Sequence, residues 1–290
     1  MELLRALAVL AESPSQRTAG LARALGMGRP PTPAEYTDLF VFQLVPYASV
    51  YLGAEGMMGG EAENRVRGFW LALGRTPPTE SDHLATLLGL YVHLSELEED
   101  EVDPTRREAL LRARTALLFE HLMSWQPAYL EKAIEIGPGP FRDWGRLLKS
   151  TLVAEAASLG APDRLPLHLR EASGLPSTEP ASMDELVSAI LAPVRCGIIL
   201  TRTDLERAGR ELGLGVRAGG RRFVLGSLLE QDATAIMEWL AADAERWVGL
   251  HRSYGDSLGP IATFWADRAG QMASFAARLS RTARTMATDA

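Results

Sequence analysis

Residues 77–101 read PPTESDHLATLLGLYVHLSELEEDE. Leu84, Leu87, Leu88, Tyr91 and Leu94 recur at three- and four-residue spacing, which lines them along one stripe of a 3.6-residue spiral. The stretch predicts a helix with a buried face. Pro77 and Pro78 cannot belong to its interior, and Thr79 with Asp82 fits the Ser/Thr-x-x-acid pattern of a helix start. Asp82 is then expected as a cap, lying over Ala85, Thr86 and Gly89, a narrow face of small side chains that a second backbone can approach. His83 is expected on the apolar stripe, one turn before Leu87.

The same signals recur outward in both directions. Thr32-Pro33-Ala34-Glu35, Ser182-Met183-Asp184-Glu185 and Thr203-Asp204-Leu205-Glu206 each read as a capping box before an apolar-periodic run, and alternating strand patterns are almost absent. The chain is predicted to be all-α. One helix opens at Pro33 and carries Tyr36, Leu39, Phe40, Leu44 and Tyr47, with Pro46 set to kink or break it. Val66, Phe69, Trp70 and Leu73 form a second stripe that Gly74 stops. Asp103-Pro104 starts a further helix through Leu110, Leu117, His121 and Trp125 to Pro127, and another runs from Phe141 to Leu159.

Between Ala161 and Ala181 stand Pro162, Pro166, Pro176 and Pro180 without a sustained period, the mark of a long connection. This divides the chain into a helical core over 1–160, a proline-rich connection over 161–181 and a C-terminal helical extension over 182–290 packing on the core. About five helices are expected in the extension, the last carrying Ile261, Phe264, Trp265, Met272, Phe275 and Leu279 before an unpatterned tail.

Composition limits the function. With 290 residues, 47% apolar and 23% charged, the chain is globular, and a formal net charge of −7 opposes general nucleic-acid binding. A single cysteine, Cys196, excludes an internal disulfide and a cysteine-cluster metal site. The first residues, MELLRALAVLAESPSQ, lack the basic head and uninterrupted apolar middle of an export signal and read as an amphipathic helix. No apolar run reaches the roughly 18 residues of a membrane span, so a soluble cytoplasmic protein without stable membrane insertion is expected.

Enzyme signatures are missing: there is no P-loop, no GxSxG elbow and no HExxH helix. Gly213-Leu214-Gly215-Val216-Arg217-Ala218-Gly219 lacks dinucleotide spacing and follows a helix rather than a strand. His83 and His93 stand too far apart on one helix to share a metal. Cys196 beside Arg195 has no identifiable partner and reads as a packed thiol. No cofactor or metal is expected.

What remains resembles a recognition surface. Aromatic residues crowd the first 150 positions, and six acids fall between Glu96 and Asp103: Glu96, Glu98, Glu99, Asp100, Glu101 and Asp103. Such a run reads either as a solvated loop or as a landing place for a basic peptide. The stretch from Arg195 to Leu225 carries seven arginines against three acids, either a surface for an acidic client or a polar helix face.

Taken in order, Tyr36-x-x-Leu39-Phe40, Pro46-Tyr47-Ala48-Ser49, Tyr51-Leu52, Phe69-Trp70, Asp82-His83-Leu84 and His121-Leu122-x-x-Trp125-x-Pro127 resemble the TorD/DmsD/NarJ family of cytoplasmic chaperones for molybdenum-containing redox enzymes. The resemblance covers roughly residues 30–160. It departs from the family where a Glu-Pro dipeptide usually precedes the Asp-His pair, since Thr79 and Glu80 stand there, and in the length of the chain after Ala181.

The resemblance implies a multi-helix bundle of the TorD/DmsD type with additional C-terminal helices. It also implies a non-catalytic chaperone that binds the twin-arginine signal peptide of a molybdenum-containing oxidoreductase precursor, assists cofactor insertion and delays export. The signal peptide's apolar middle would meet aromatic and leucine side chains, and its arginine pair would seek carboxylates. The expected client-binding residues are Tyr36, Leu39, Phe40, Tyr47, Trp70, Asp82, His83, Leu87, Tyr91, Glu98, His121 and Trp125. A homodimer is compatible with the long connection. The alternative is a nucleotide-hydrolysing enzyme using Asp82 and His83 for acid-base chemistry.

Overall fold

A computed structural model describes residues 1–178 and 180–288, all of them in helices and connecting turns with no β-sheet. Glu179, Asp289 and Ala290, the last two belonging to the predicted tail, lie outside the described residues. The tail up to Thr288 is helical.

The first layer contains α1 (Glu2–Leu10) and α2 (Gln16–Ala24), then α3 (Pro33–Tyr36), which continues over Thr37–Gln43 as a wide helical turn with five-residue hydrogen bonding. The Thr32–Glu35 capping box forms as predicted, its two halves satisfying the Glu35 and Thr32 amides. Next come α4 (Ala48–Leu52), α5 (Gly60–Ala72) and α6 (Leu84–Asp100). Asp103 caps α7 (Pro104–Ala116), and α7 widens over Leu117–Leu122 into a second such turn. The antiparallel pair α8 (Gln126–Ile136) and α9 (Gly139–Leu159) closes this layer, with α1 packed against α6 and α9.

The connection contains one short helix, α10 (Leu167–Arg170). Beyond it lie α11 (Met183–Leu191), α12 (Pro193–Cys196), α13 (Arg202–Leu212) and α14 (Arg221–Gln231). The long antiparallel pair α15 (Ala233–Arg252) and α17 (Pro260–Thr288) is joined through α16 (Gly255–Leu258). Seven helices therefore follow residue 181 among the described residues, two more than the periodicity suggested, because α12 and α16 are too short to show a period. The expected start at Thr203 is displaced: Thr201 is the cap of α13 and Asp204 closes the box, since Asp204 rather than Glu206 stands three residues beyond it.

Buried apolar side chains from before and after the connection join in one cluster. The indole of Trp265 on α17 donates to the Ser124 carbonyl at 2.9 Å. Gly197 (φ 73°) follows α12 so close to the Ala269 backbone that any Cβ would collide.

The most polar contact between the two stretches is fully buried. Lys132 of α8 reaches Asp204 of α13 at 2.9 Å and Glu135 at 2.9 Å, with the Trp247 ring 5.3 Å from its ammonium. Burial alone would push the Asp204 carboxyl up, but Lys132 and Thr201 outweigh it and hold it below the ordinary range. Arg207 and Arg246 extend the network to Asp243. Much of the arginine-rich stretch is thus neutralised internally: Arg202 meets Glu206, Arg222 meets Asp184, and Arg221 donates to the carbonyls of Leu200 and Gly56.

Candidate functional site

Two loops, 44–49 and 80–84, are zipped together where Pro46 ends one helix and α6 begins. The amide of Leu84 donates to Pro46 O at 2.8 Å, that of Ala48 donates to Asp82 O at 3.1 Å, and Tyr47 and His83 face each other as an antiparallel bridge. Beneath the first loop, Tyr51 donates to Val45 O at 2.7 Å and Tyr129 to Leu44 O at 3.3 Å. Those two tyrosines pack with Trp125, which stacks on Tyr51 at 5.1 Å. This aromatic platform fixes the height of the loop.

Asp82 does not cap its own helix. Its carboxylate is 3% exposed and accepts the Ser49 amide at 2.9 Å, so it caps α4 from 33 residues away. The cap of α6 is His83, whose Nδ1 accepts from the Ala85 amide at 3.1 Å. The expected Thr79–Asp82 box is therefore absent, and neither residue lies on the helix surface. The helix starts four residues later than that box would place it, because the 80–84 backbone is committed to the neighbouring loop. His83 turns its ring edge to Tyr47 at 4.9 Å rather than packing along the stripe above Leu87. Burial lowers its pKa against the opposing pull of Glu80, Glu12 and Asp82. With Asp82 bound to two amides and His83 Nδ1 to a third, the pair is not arranged for acid-base chemistry, which removes the basis for a hydrolase at this site.

The exposed chemistry lies just outside this pair. Tyr47 is half-buried and donates its hydroxyl to the exposed Glu80 carboxylate at 2.6 Å. Burial, then that hydrogen bond, raise the phenol's pKa. Tyr36, also half-buried, is raised by burial and by the charges of Glu80 and Glu12. Tyr47 with Glu80 and His83, and Tyr36 beside them, thus form a rim of rings and a carboxylate on which the charge of Glu12 also acts. Trp70 supports it from α5 through a 3.4 Å indole hydrogen bond to Ser81 O. Neither Glu12 nor Glu80 was among the expected site residues. Glu80 was visible only as an acid one position out of step, and Glu12 carries no local signal.

The remaining expected residues lie elsewhere. Leu39, Phe40, Leu87 and Tyr91 are at most 2% exposed and support the surface from the core; Phe40 packs edge-on to Phe141 and Trp144. Trp125 belongs to the platform. His121, on the second wide turn, is 6% exposed and meets His168 at 3.2 Å. Glu98 is engaged by Arg114 at 2.8 Å, Glu96 by Arg5, and Asp103 by the start of α7, so the acidic span is largely spent on structure. Tyr91 donates to Glu155 at 2.8 Å.

The aromatics of the first wide turn divide between core and surface. The five-residue hydrogen bonding rotates successive side chains outward, so Val41 and Phe42 are 52% and 73% exposed while Leu39 and Phe40 stay inside. Cys196 is buried, its thiol pushed up to about 11 by burial, as expected of a packed thiol. No helix among the described residues is long and apolar enough to cross a membrane.

Fold and site together give an all-α protein with an acidic, aromatic rim on a helical layer. Comparison with known proteins finds relatives for part of the chain. Residues 10–131 match the family model described as nitrate reductase delta subunit. The chain is 30% identical over 115 residues to the chaperone protein TorD of Vibrio vulnificus strain YJ016, a match covering 35% of this chain and 51% of that protein. It is 29% identical over 91 residues to the TorD chaperone of Photobacterium profundum, covering 30% and 42%. A Vibrio cholerae TorD chaperone matches at 28% over 111 residues, covering 35% and 50%. The chain spans about half the length of the curated relatives it matches. Over this segment the chain is similar to proteins of the TorD/NarJ kind, and the curated relatives it matches are named as chaperones.

Proposed function

We propose that this protein is a redox-enzyme maturation chaperone of the cytoplasm. It binds the twin-arginine leader of a molybdenum-containing oxidoreductase precursor and holds the apoprotein back from export while its cofactor is inserted. The observation that carries this reading is the rim at Tyr47–Glu80: an exposed carboxylate oriented by the hydroxyl of a half-buried tyrosine, with the rings of Tyr36 and His83 nearby. A guanidinium is the cation such a site favours, because its planar donors pair with a carboxylate while its face stacks on rings. The outward side of the first wide turn, with Val41 and Phe42, offers apolar area for the leader's middle segment.

The test is recovery of the native partner. The tagged full chain is used to capture proteins from its own cytoplasm under oxygen-limited growth, and the bound fraction is read by mass spectrometry. A molybdoenzyme precursor still bearing its leader is the expected result. Recovery of mature proteins alone overturns the reading.

A further inference from the structure

Residues 163–176 of the connection cross the outside of the molecule, and only Pro166, His168 and Leu169 among them are buried. Polar contacts hold the segment at both ends. On the N-terminal layer, the Leu167 amide donates to Glu120 Oε2 at 2.6 Å, Arg65 donates to Leu167 O at 3.3 Å and pairs with Glu171, and His168 Nε2 meets His121 Nδ1 at 3.2 Å. On the C-terminal helices, Arg268 donates to Ala172 O at 2.6 Å and Arg195 to Gly174 O at 3.1 Å. Three arginines thus grip main-chain carbonyls of one extended segment. The segment closes a cavity of about 240 Å³ whose other walls include Leu52, Glu55, Arg65 and Val194.

The grip reaches the candidate site through one helix. The His121 ring rests on Phe69 of α5 at 4.8 Å, and the next residue, Trp70, holds Ser81 O of the loop that carries Asp82 and His83. Consecutive aromatic residues therefore face the strap on one side and the rim on the other.

We propose that residues 163–176 form a strap that opens independently of the helical core, and that in its closed state it fixes α5 through His168, His121 and Phe69, holding the 80–84 loop in register. Of its fourteen residues Leu169 alone belongs to the buried core cluster, with Leu165, Ala172 and Leu175 packed against it part-exposed. A segment held by so few apolar anchors and by surface hydrogen bonds opens at lower free energy than the core it covers. Opening uncovers the cavity and frees Phe69, which loosens Trp70 and the rim. The strap itself needs no client; its consequence for leader binding rests on the function proposed above.

The full chain supplies the test, because Arg164 and Arg170 are exposed tryptic sites within the strap. Cleavage there under native conditions is expected at a rate nearly independent of urea below the unfolding midpoint. Arg268→Ala and, at the opposite end, His168→Ala should each accelerate it about tenfold or more with the midpoint little changed. The same variants should raise hydrogen exchange at the His83 and Leu84 amides while leaving those of α8 and α9 protected. Cleavage that rises with urea along the global unfolding curve overturns the independent strap. Faster cleavage without faster exchange at 83–84 overturns the coupling. Neither readout uses a peptide, so a failure here is separate from a failure of the leader-binding reading.

Discussion

Asp82 and Ser49 stand 33 residues apart in sequence and share a hydrogen bond of 2.9 Å, the Asp82 carboxylate accepting the amide at the start of α4. With Asp82 O receiving the Ala48 amide as well, one residue anchors two main-chain donors of a neighbouring segment. The acid at the centre of the Asp-His element is therefore a clamp between loops, and the proposed function assigns client contact to the carboxylates around it.

Removal of the clamp is expected to weaken the fold. Asp82→Ala leaves the Ser49 amide buried without an acceptor and should cost about 1–3 kcal/mol in urea unfolding. Asp82→Asn keeps an acceptor oxygen and should recover part of that loss. Equal destabilisation by both variants would show that the charge, rather than the hydrogen bond, matters.

Phe42 gives the opposite case. At 73% exposure it contributes little to the core, so Phe42→Ser should leave the unfolding midpoint within about 0.5 kcal/mol of the parent. Its affinity for an apolar leader segment should fall several-fold. An unchanged affinity would remove the wide turn from the binding surface.

The Lys132–Asp204 pair ties α8 to α13 in a fully buried setting. Lys132→Ala leaves the buried Asp204 carboxylate to Arg207 and Thr201 alone and should destabilise by about 3 kcal/mol, the lower end for breaking a buried ion pair. Removing both partners should cost less than the sum of the single changes, measured as a double-mutant cycle. Additive losses would mean that the two side chains act separately.

Acid sensitivity follows from four histidines. Burial lowers His83, and it lowers His121, His168 and His251 to about 4, about 3 and about 4. Above pH 6.5 these rings are neutral folded or unfolded, and their contribution to stability is complete. Below it the unfolded chain takes up protons that the folded chain refuses, so stability falls by about 1.4 kcal/mol per pH unit for each such histidine until the folded pKa is reached. The urea midpoint should decline from pH 6.5 to 5, a range above the ordinary carboxylate values. A flat profile there would contradict buried neutral imidazoles.

Much of the fold was legible because its signals are local. The Thr32, Ser182 and Asp103 caps and the leucine stripe of α6 each depend on residues within a turn or two of one another. The wide turns at 37–43 and 117–122 were not legible, because a helix with one extra residue per turn keeps nearly the same apolar spacing. The cap expected of Asp82 falls to its neighbour: His83 caps the helix, and the aspartate serves a segment 33 residues distant. Glu12, His168 and the three strap arginines are joined to their partners only by tertiary packing, for which sequence spacing carries no signal.

The central claim is that a cationic leader binds at the Glu80 rim. Titration of a synthetic leader peptide into the full chain, followed by fluorescence anisotropy, tests it most directly when run with the parent and with Glu80→Ala, and with an arginine-pair and an alanine-pair peptide. Binding of the arginine peptide should weaken about tenfold on Glu80→Ala, a loss of about 1.4 kcal/mol, with Tyr47→Phe intermediate and the alanine peptide indifferent to either change. Equal affinity of both peptides for parent and variant would place the arginine contact elsewhere and contradict the account.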